Sequence, residues 1–89
     1  MHARYRSNPR PEYPIEARRL HEQGVVLLSV AVGADGQVTD VTLKRSSGFS
    51  SLDEAAMQAV RRWIFEPARV GGLTVSSHAD VPVRFSLAE

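Results

Sequence analysis

Apolar residues recur along this chain at two different periods, one of strands and one of helices. From Val25 to Val32 one parity reads Val26, Leu28, Val30, Val32 and the other Val25, Leu27, Ser29, Ala31. Both are mostly apolar, which suits a central strand. Asp35-Gly36 then signals a two-residue hairpin turn. In the next segment, Val38 to Arg45, Val41 and Leu43 share one face, with Asp40, Thr42 and Lys44 on the other. Val38 breaks that parity, which predicts a bulge near Thr39. The last segment alternates from Leu73 to Leu87, with Val75, Val81, Val83 and Phe85 on the apolar side. It reads as one long half-buried strand.

Two stretches keep helical spacing instead. Tyr13, Ala17, Leu20 and Gly24 follow one another at three- and four-residue steps around Pro14. They predict a short helix over Pro14 to Gln23, opened by proline and stopped by Gly24. Leu52, Ala55, Ala56, Ala59, Val60 and Trp63 form the apolar face of a second helix. Ser51-Leu52-Asp53-Glu54 matches a capping box at its start. Asp53, Glu54, Gln58, Arg61 and Arg62 are expected on its solvated side, acids first and arginines last, as the helix dipole favours. Pro67 ends the element and Gly71-Gly72 makes a turn. The order is α-β-β-α-β. That implies an α+β two-layer sandwich, a small antiparallel three-stranded sheet packed against helices. Residues 1–12, with Pro9, Pro11 and several arginines, read as an extended lead-in, and residues 13–89 as the folded domain.

Composition narrows the function. The 89 residues make one small domain with a thin core. Lys plus Arg number 11 against 10 Asp plus Glu, so there is no basic excess to favour nucleic acid. The absence of Cys excludes disulfides and thiolate metal sites. The longest apolar runs fall far below the ~20 residues that cross a bilayer. No signal-peptide pattern is visible after Met1, where His2, Arg4 and Arg6 follow without an apolar stretch.

No catalytic set emerges. His2, His21 and His78 are scattered, without the spacing of a metal site. Ser76, His78 and Asp80 share a strand face, but nothing supplies an oxyanion hole. The glycines lack the Gly-Lys-Ser/Thr ending of a phosphate loop. Trp63, Ile64 and Phe65 read as core packing, with a binding pocket as the alternative. Catalytic, cofactor and metal sites are therefore expected to be absent.

Pro82 carries the most information of any residue. Lacking an N–H, it fits a strand where that group would face away from a neighbour. Alternate residues of a strand point their backbone groups to opposite sides. The odd residues should then pair with the Val25–Val32 strand. The outer edge should present the backbone of Ser76, His78, Asp80, Arg84 and Ser86. Asp80, Pro82 and Arg84 could simply defend that edge against aggregation. Alternatively, an extended peptide adds a strand there.

At this point the residues are similar to a known family. Tyr13-Pro14, Ala17, Gly24-Val25-Val26, Asp35-Gly36-Gln37-Val38, Ser46-Ser47-Gly48 and Leu52-Asp53-Glu54-Ala55-Ala56 follow in the family's order. Val60-Arg61-Arg62-Trp63, Phe65-Glu66-Pro67-Ala68 and Val81-Pro82-Val83-Arg84-Phe85 complete the pattern. Together they resemble the C-terminal domain of TonB-type energy transducers, over Pro11 to Leu87. The resemblance implies a periplasmic domain of a Gram-negative inner-membrane protein. It also implies an N-terminal membrane helix that meets the ExbB–ExbD motor. Its partner would be the TonB box peptide of outer-membrane receptors for iron chelates, haem, cobalamin or similar nutrients. By that resemblance the box adds beside Val75 to Phe85, and Arg10, Pro11, Glu12, Tyr13 and Pro14 lie close to it. An envelope-scaffolding or self-assembling domain of the same fold is the alternative, and an uncovered edge permits homodimers.

Overall fold

The computed structural model describes residues 4–87. Its centre is the expected antiparallel sheet. Gly24–Val32 (β2) is flanked by Val38–Arg45 (β3) on one side and by Ser77–Phe85 (β7) on the other. Ile15–Arg19 (α1) and Ser50–Val60 (α2) supply the helical layer. Val26, Leu28, Val30 and Val32 from β2 meet Val81, Val83 and Phe85 from β7 on the buried face. Ala17, Leu52, Ala56, Val60, Trp63 and Phe65 complete one core from the other layer. The two-layer α+β sandwich thus follows from the parity of the strands.

The hairpin between β2 and β3 is longer than two residues. Residues 33–37 form the loop, with Gly33 N–H donating to Gln37 O at 2.8 Å and Gly36 N–H to Gly33 O at 2.9 Å. The Asp35 carboxylate accepts from the Gln37 N–H at 3.0 Å, so Asp serves as a side-chain turn former. The bulge falls at Thr39: Ala31 faces Asp40 and Val32 faces Val38, leaving Thr39 without an opposite residue. Its hydroxyl donates to Ala31 O at 3.2 Å. A second register shift, between Leu27 and Leu28, was not expected.

Both helices depart from expectation at their ends. α1 stops at Arg19, well before Gln23, and Leu20 is 66% exposed rather than part of an apolar stripe. His21, not Gly24, takes the left-handed conformation, with φ 57°. The Glu22 N–H reaches Ala17 O and the His21 N–H reaches Arg18 O, which together make a Schellman motif. Gly24 is thereby released to open β2. His21→Gly is expected to stabilise the fold by about 0.5–1 kcal/mol, since left-handed backbone costs a β-carbon residue roughly 1–2 kcal/mol. Thermal unfolding should show a midpoint higher by about 4 °C.

The capping box does not form. α2 begins at Ser50, Phe49 is its N-cap, and no side chain caps it. The Ser51 hydroxyl instead donates to Glu22 Oε1 at 2.9 Å, tying α2 to the segment between α1 and β2. The helix ends at Val60, so Arg61 and Arg62 lie beyond it rather than in its last turn.

Three short strands were not anticipated. Tyr5–Ser7 (β1) pairs with Ile64–Phe65 (β4), so the lead-in is extended but also packed. Tyr5 lies against Trp63 and Phe65 with ring centroids 5.1 and 5.0 Å apart. The Trp63 indole donates to Pro9 O at 2.8 Å. Trp63 and Phe65 are buried, which supports core packing for that cluster over a pocket. Ala68–Val70 (β5) pairs with Leu73–Val75 (β6) around Gly71-Gly72. Both glycines have positive φ, 57° and 84°, as a type I′ turn requires. The alternating run from Leu73 to Leu87 is therefore two strands separated at Ser76, not one.

Candidate functional site

The site is the outer flank of β7. Leu27 faces Pro82 across the β2–β7 ladder, Val25 faces Arg84, and Ser29 faces Asp80. Pro82 has no N–H, so Leu27–Pro82 is a non-hydrogen-bonded pair. The alternation of an antiparallel ladder then assigns the bonded pairs to Ala79–Val30, Val81–Leu28 and Val83–Val26. Odd backbone groups of β7 point inward, and those of His78, Asp80 and Arg84 point out, with Pro82 offering its carbonyl alone. Among the described residues no strand lies on that side.

β6 carries the same parity past Ser76. Val70 and Leu73 close the type I′ turn, and such closing pairs are hydrogen bonded. Leu73 and Val75 therefore bond toward β5, and Thr74 turns its backbone away. Val75 is thus paired with Ala68 rather than open. Ser76 falls between the two strands. The chain leaves the sheet after Phe85: the Leu87 N–H donates to Gln23 Oε1 at 2.8 Å, and Ser86 has a contact of its own.

Side chains sort the same residues differently. His78, Asp80, Pro82 and Arg84 are exposed on the face of the sheet away from the helices. Phe85 is only 4% exposed and contributes to the core. On that open face Lys44 of β3 reaches across β2 to Asp80, at 2.7 Å. The pair is half exposed, so it contributes at most about 1 kcal/mol. Its effect is to commit the Asp80 carboxylate to Lys44, which leaves Ser76, His78 and Asp80 without the arrangement of a triad.

The lead-in divides into two parts. Tyr13 stands edge-on to Phe85 with ring centroids 5.3 Å apart, and its hydroxyl donates to Glu22 O. Arg18 lies over its ring at 5.5 Å. Tyr13 thereby anchors the lead-in to the end of β7 through Phe85. Arg10, Pro11, Glu12 and Pro14 instead border an open groove of about 570 Å³ with Ser51 and Glu54 of α2. These residues therefore flank α2, whereas Tyr13 meets Phe85 of β7.

Sequence reasoning missed one organising residue, Asp53. Expected on the solvated side of α2, it is buried at 8% exposure. Its carboxylate accepts from the Ser46 hydroxyl, from the Ser47 N–H at 2.9 Å and from the Ser47 hydroxyl at 2.8 Å. Burial raises its pKa, but the hydrogen bonds from Ser46 and Ser47 prevail and hold it below the ordinary carboxylate value. The motif Ser46-Ser47-Gly48 followed by Asp53 was itself the available signal. Among the described residues no group of His, Asp and Glu could hold a metal ion, and no helix is long and apolar enough to cross a membrane. His2 lies outside the described residues.

The family described as Gram-negative bacterial TonB protein C-terminal matches residues 9–87. Protein tonB2 of Pseudomonas aeruginosa is 44% identical over 85 residues, covering 96% of this chain and 32% of that protein. Protein TonB of Xanthomonas campestris pv. campestris is 45% identical over 80 residues, covering 90% of this chain and 35% of the other. This chain thus spans about a third of the length of these relatives. The solution structure of the Pseudomonas aeruginosa TonB C-terminal domain superposes with a TM-score of 0.80 at 25% identity, covering 98% of this chain and 88% of that one. That of Helicobacter pylori gives 0.73 at 29% identity, covering 90% and 84%. The chain therefore belongs to the Gram-negative bacterial TonB C-terminal family, as a non-enzymatic domain.

Proposed function

We propose that this domain is the receptor-gripping end of a TonB-type energy transducer in the periplasm. The β7 edge takes the TonB box of an outer-membrane receptor as an added strand. The rest of the transducer, anchored in the inner membrane and driven by ExbB–ExbD, supplies the pull. The cargo is an iron chelate, haem, cobalamin or a similar nutrient. The observation that supports this most is the outward register of β7, with the backbone of His78, Asp80 and Arg84 unpaired and Pro82 among them. Each added backbone bond nets about 0.5–1.5 kcal/mol. Several of them reach roughly micromolar affinity, about −8 kcal/mol. Backbone pairing also tolerates many box sequences, so one domain serves several receptors. Of the lead-in, Tyr13 is best placed to steady the end of this edge, while Arg10, Pro11, Glu12 and Pro14 stay beside α2.

Titration with box peptides from candidate receptors, followed by amide shifts, tests the reading. Shifts are expected along His78, Asp80 and Arg84. His78→Pro, which removes one outward N–H, should weaken binding roughly 2- to 12-fold. A domain that dimerises and ignores every box peptide would instead be an envelope scaffold.

A further inference from the structure

We propose that Pro82 makes the β7 edge selective for a strand of a foreign chain over a second copy of this domain. Pro82 lies opposite Leu27 on β2, and the side where its N–H would stand is the outer flank. Any strand added to that flank finds the Pro82 carbonyl but no donor beside it. A foreign strand therefore loses one backbone bond. It still gains the bonds of His78, Asp80 and Arg84.

Symmetric pairing of two β7 edges brings two prolines into one ladder. Each chain lacks its own N–H, so the self-paired ladder loses two bonds, whatever its antiparallel register, as long as both prolines lie within it. Each such bond is worth roughly 2- to 12-fold in an association constant. The second loss therefore falls on self-pairing alone.

Charge does not provide this discrimination. When Pro82 faces Pro82 of the second copy, Asp80 faces Arg84 of the second copy on the same side of the sheet, and these attract. The charges on the edge thus leave a favourable self-register, and the proline removes the bonds at its centre. Open edges elsewhere are defended in several ways at once. Here the defence must stay compatible with strand addition, and a missing donor is one that a partner carrying no proline meets once rather than twice. The discrimination rests on strand addition at the β7 edge, whichever foreign strand that edge takes.

Sedimentation equilibrium of the whole domain, without peptide, is the deciding experiment. Pro82→Ala is expected to raise the self-association constant roughly 5- to 150-fold over wild type. New amide protection should appear at His78, Asp80 and Arg84. Pro82→Val, which suits a strand, provides the second variant should the first unfold. A folded variant that associates no more than wild type overturns the proposal. So does association that leaves those three amides unprotected. A parallel titration with a box peptide separates the two readings. Absence of peptide binding by wild type refutes strand addition by a receptor, while the self-association result still decides the role of Pro82.

Discussion

Replacing Asp53 by alanine is expected to destabilise the domain by about 3 kcal/mol, a large share of the roughly 4–13 kcal/mol that a chain of this length possesses. The carboxylate is buried and accepts from two hydroxyls and one backbone N–H in the Ser46–Ser47 segment. Removing it leaves the Ser47 N–H without its acceptor and unfastens the loop that leads from β3 into α2. Urea unfolding should show the midpoint move down with an unchanged slope. The effect should also depend on pH. Hydrogen bonds outweigh burial, so the folded pKa is below the ordinary value and the folded state binds this proton less readily than the unfolded one. The contribution is therefore complete above the ordinary carboxylate pKa. It is lost as the pH falls toward and through the folded value. Asp53→Asn should thus differ most from wild type near neutrality and least in acid. An equal difference at both ends would show that the charge contributes nothing.

Gly36→Ala is expected to have an effect of similar size, about 3 kcal/mol. Gly36 has φ 89°, and a β-carbon there would lie 2.2 Å from the Phe65 carbonyl oxygen. The same turn receives the Phe65 N–H on Gly36 O at 2.8 Å. The substitution therefore strains the backbone and also pushes the β2–β3 turn off β4. Gly71→Ala provides the control. Its φ is 57°, yet open space surrounds it. It should cost only about 1–2 kcal/mol, the price of left-handed backbone alone. Chemical unfolding of both variants separates the two causes, and equal losses would remove the clash from the account.

These two positions show where sequence reading reaches and where it stops. The central sheet was legible because strand parity is local: Val26, Leu28, Val30 and Val32 specify their buried face without reference to anything distant. The bulge at Thr39 and the outward register of Pro82 were legible for the same reason, since each breaks a rule that neighbours keep. Asp53 was not, because an acid in a first helical turn already has a sufficient local explanation in the dipole. Its burial comes from a loop that packs back on it. The β5–β6 hairpin was hidden because Leu73 and Val75 continue the alternation of β7, and its other strand is only three residues long. Glycine fits a helix stop best, which favours Gly24 for that role, yet His21 fills it. Of the edge residues, His78, Asp80, Pro82 and Arg84 stand together as expected. Val75 is paired and Phe85 buried, since alternation gives the face of a side chain but not the neighbour of a backbone.

The strap formed by β1 has a mechanical meaning. Residues 4–9 are tied to the body by a two-residue strand pair, by the Glu66 N–H on Arg4 O and by the Trp63 indole on Pro9 O. The β2–β7 ladder, by contrast, runs from Gly24–Phe85 to Val32–Ser77. In the role proposed above, with tension entering from the N-terminal side and a partner strand on β7, the shorter strap is expected to yield before the β2–β7 ladder. Released, residues 4–9 lengthen the tether by up to roughly 20 Å at ~3.3–3.6 Å each. A partner strand on β7 would keep its pairing through that slack, so in the proposed role the strap is a shock absorber in series with the clasp.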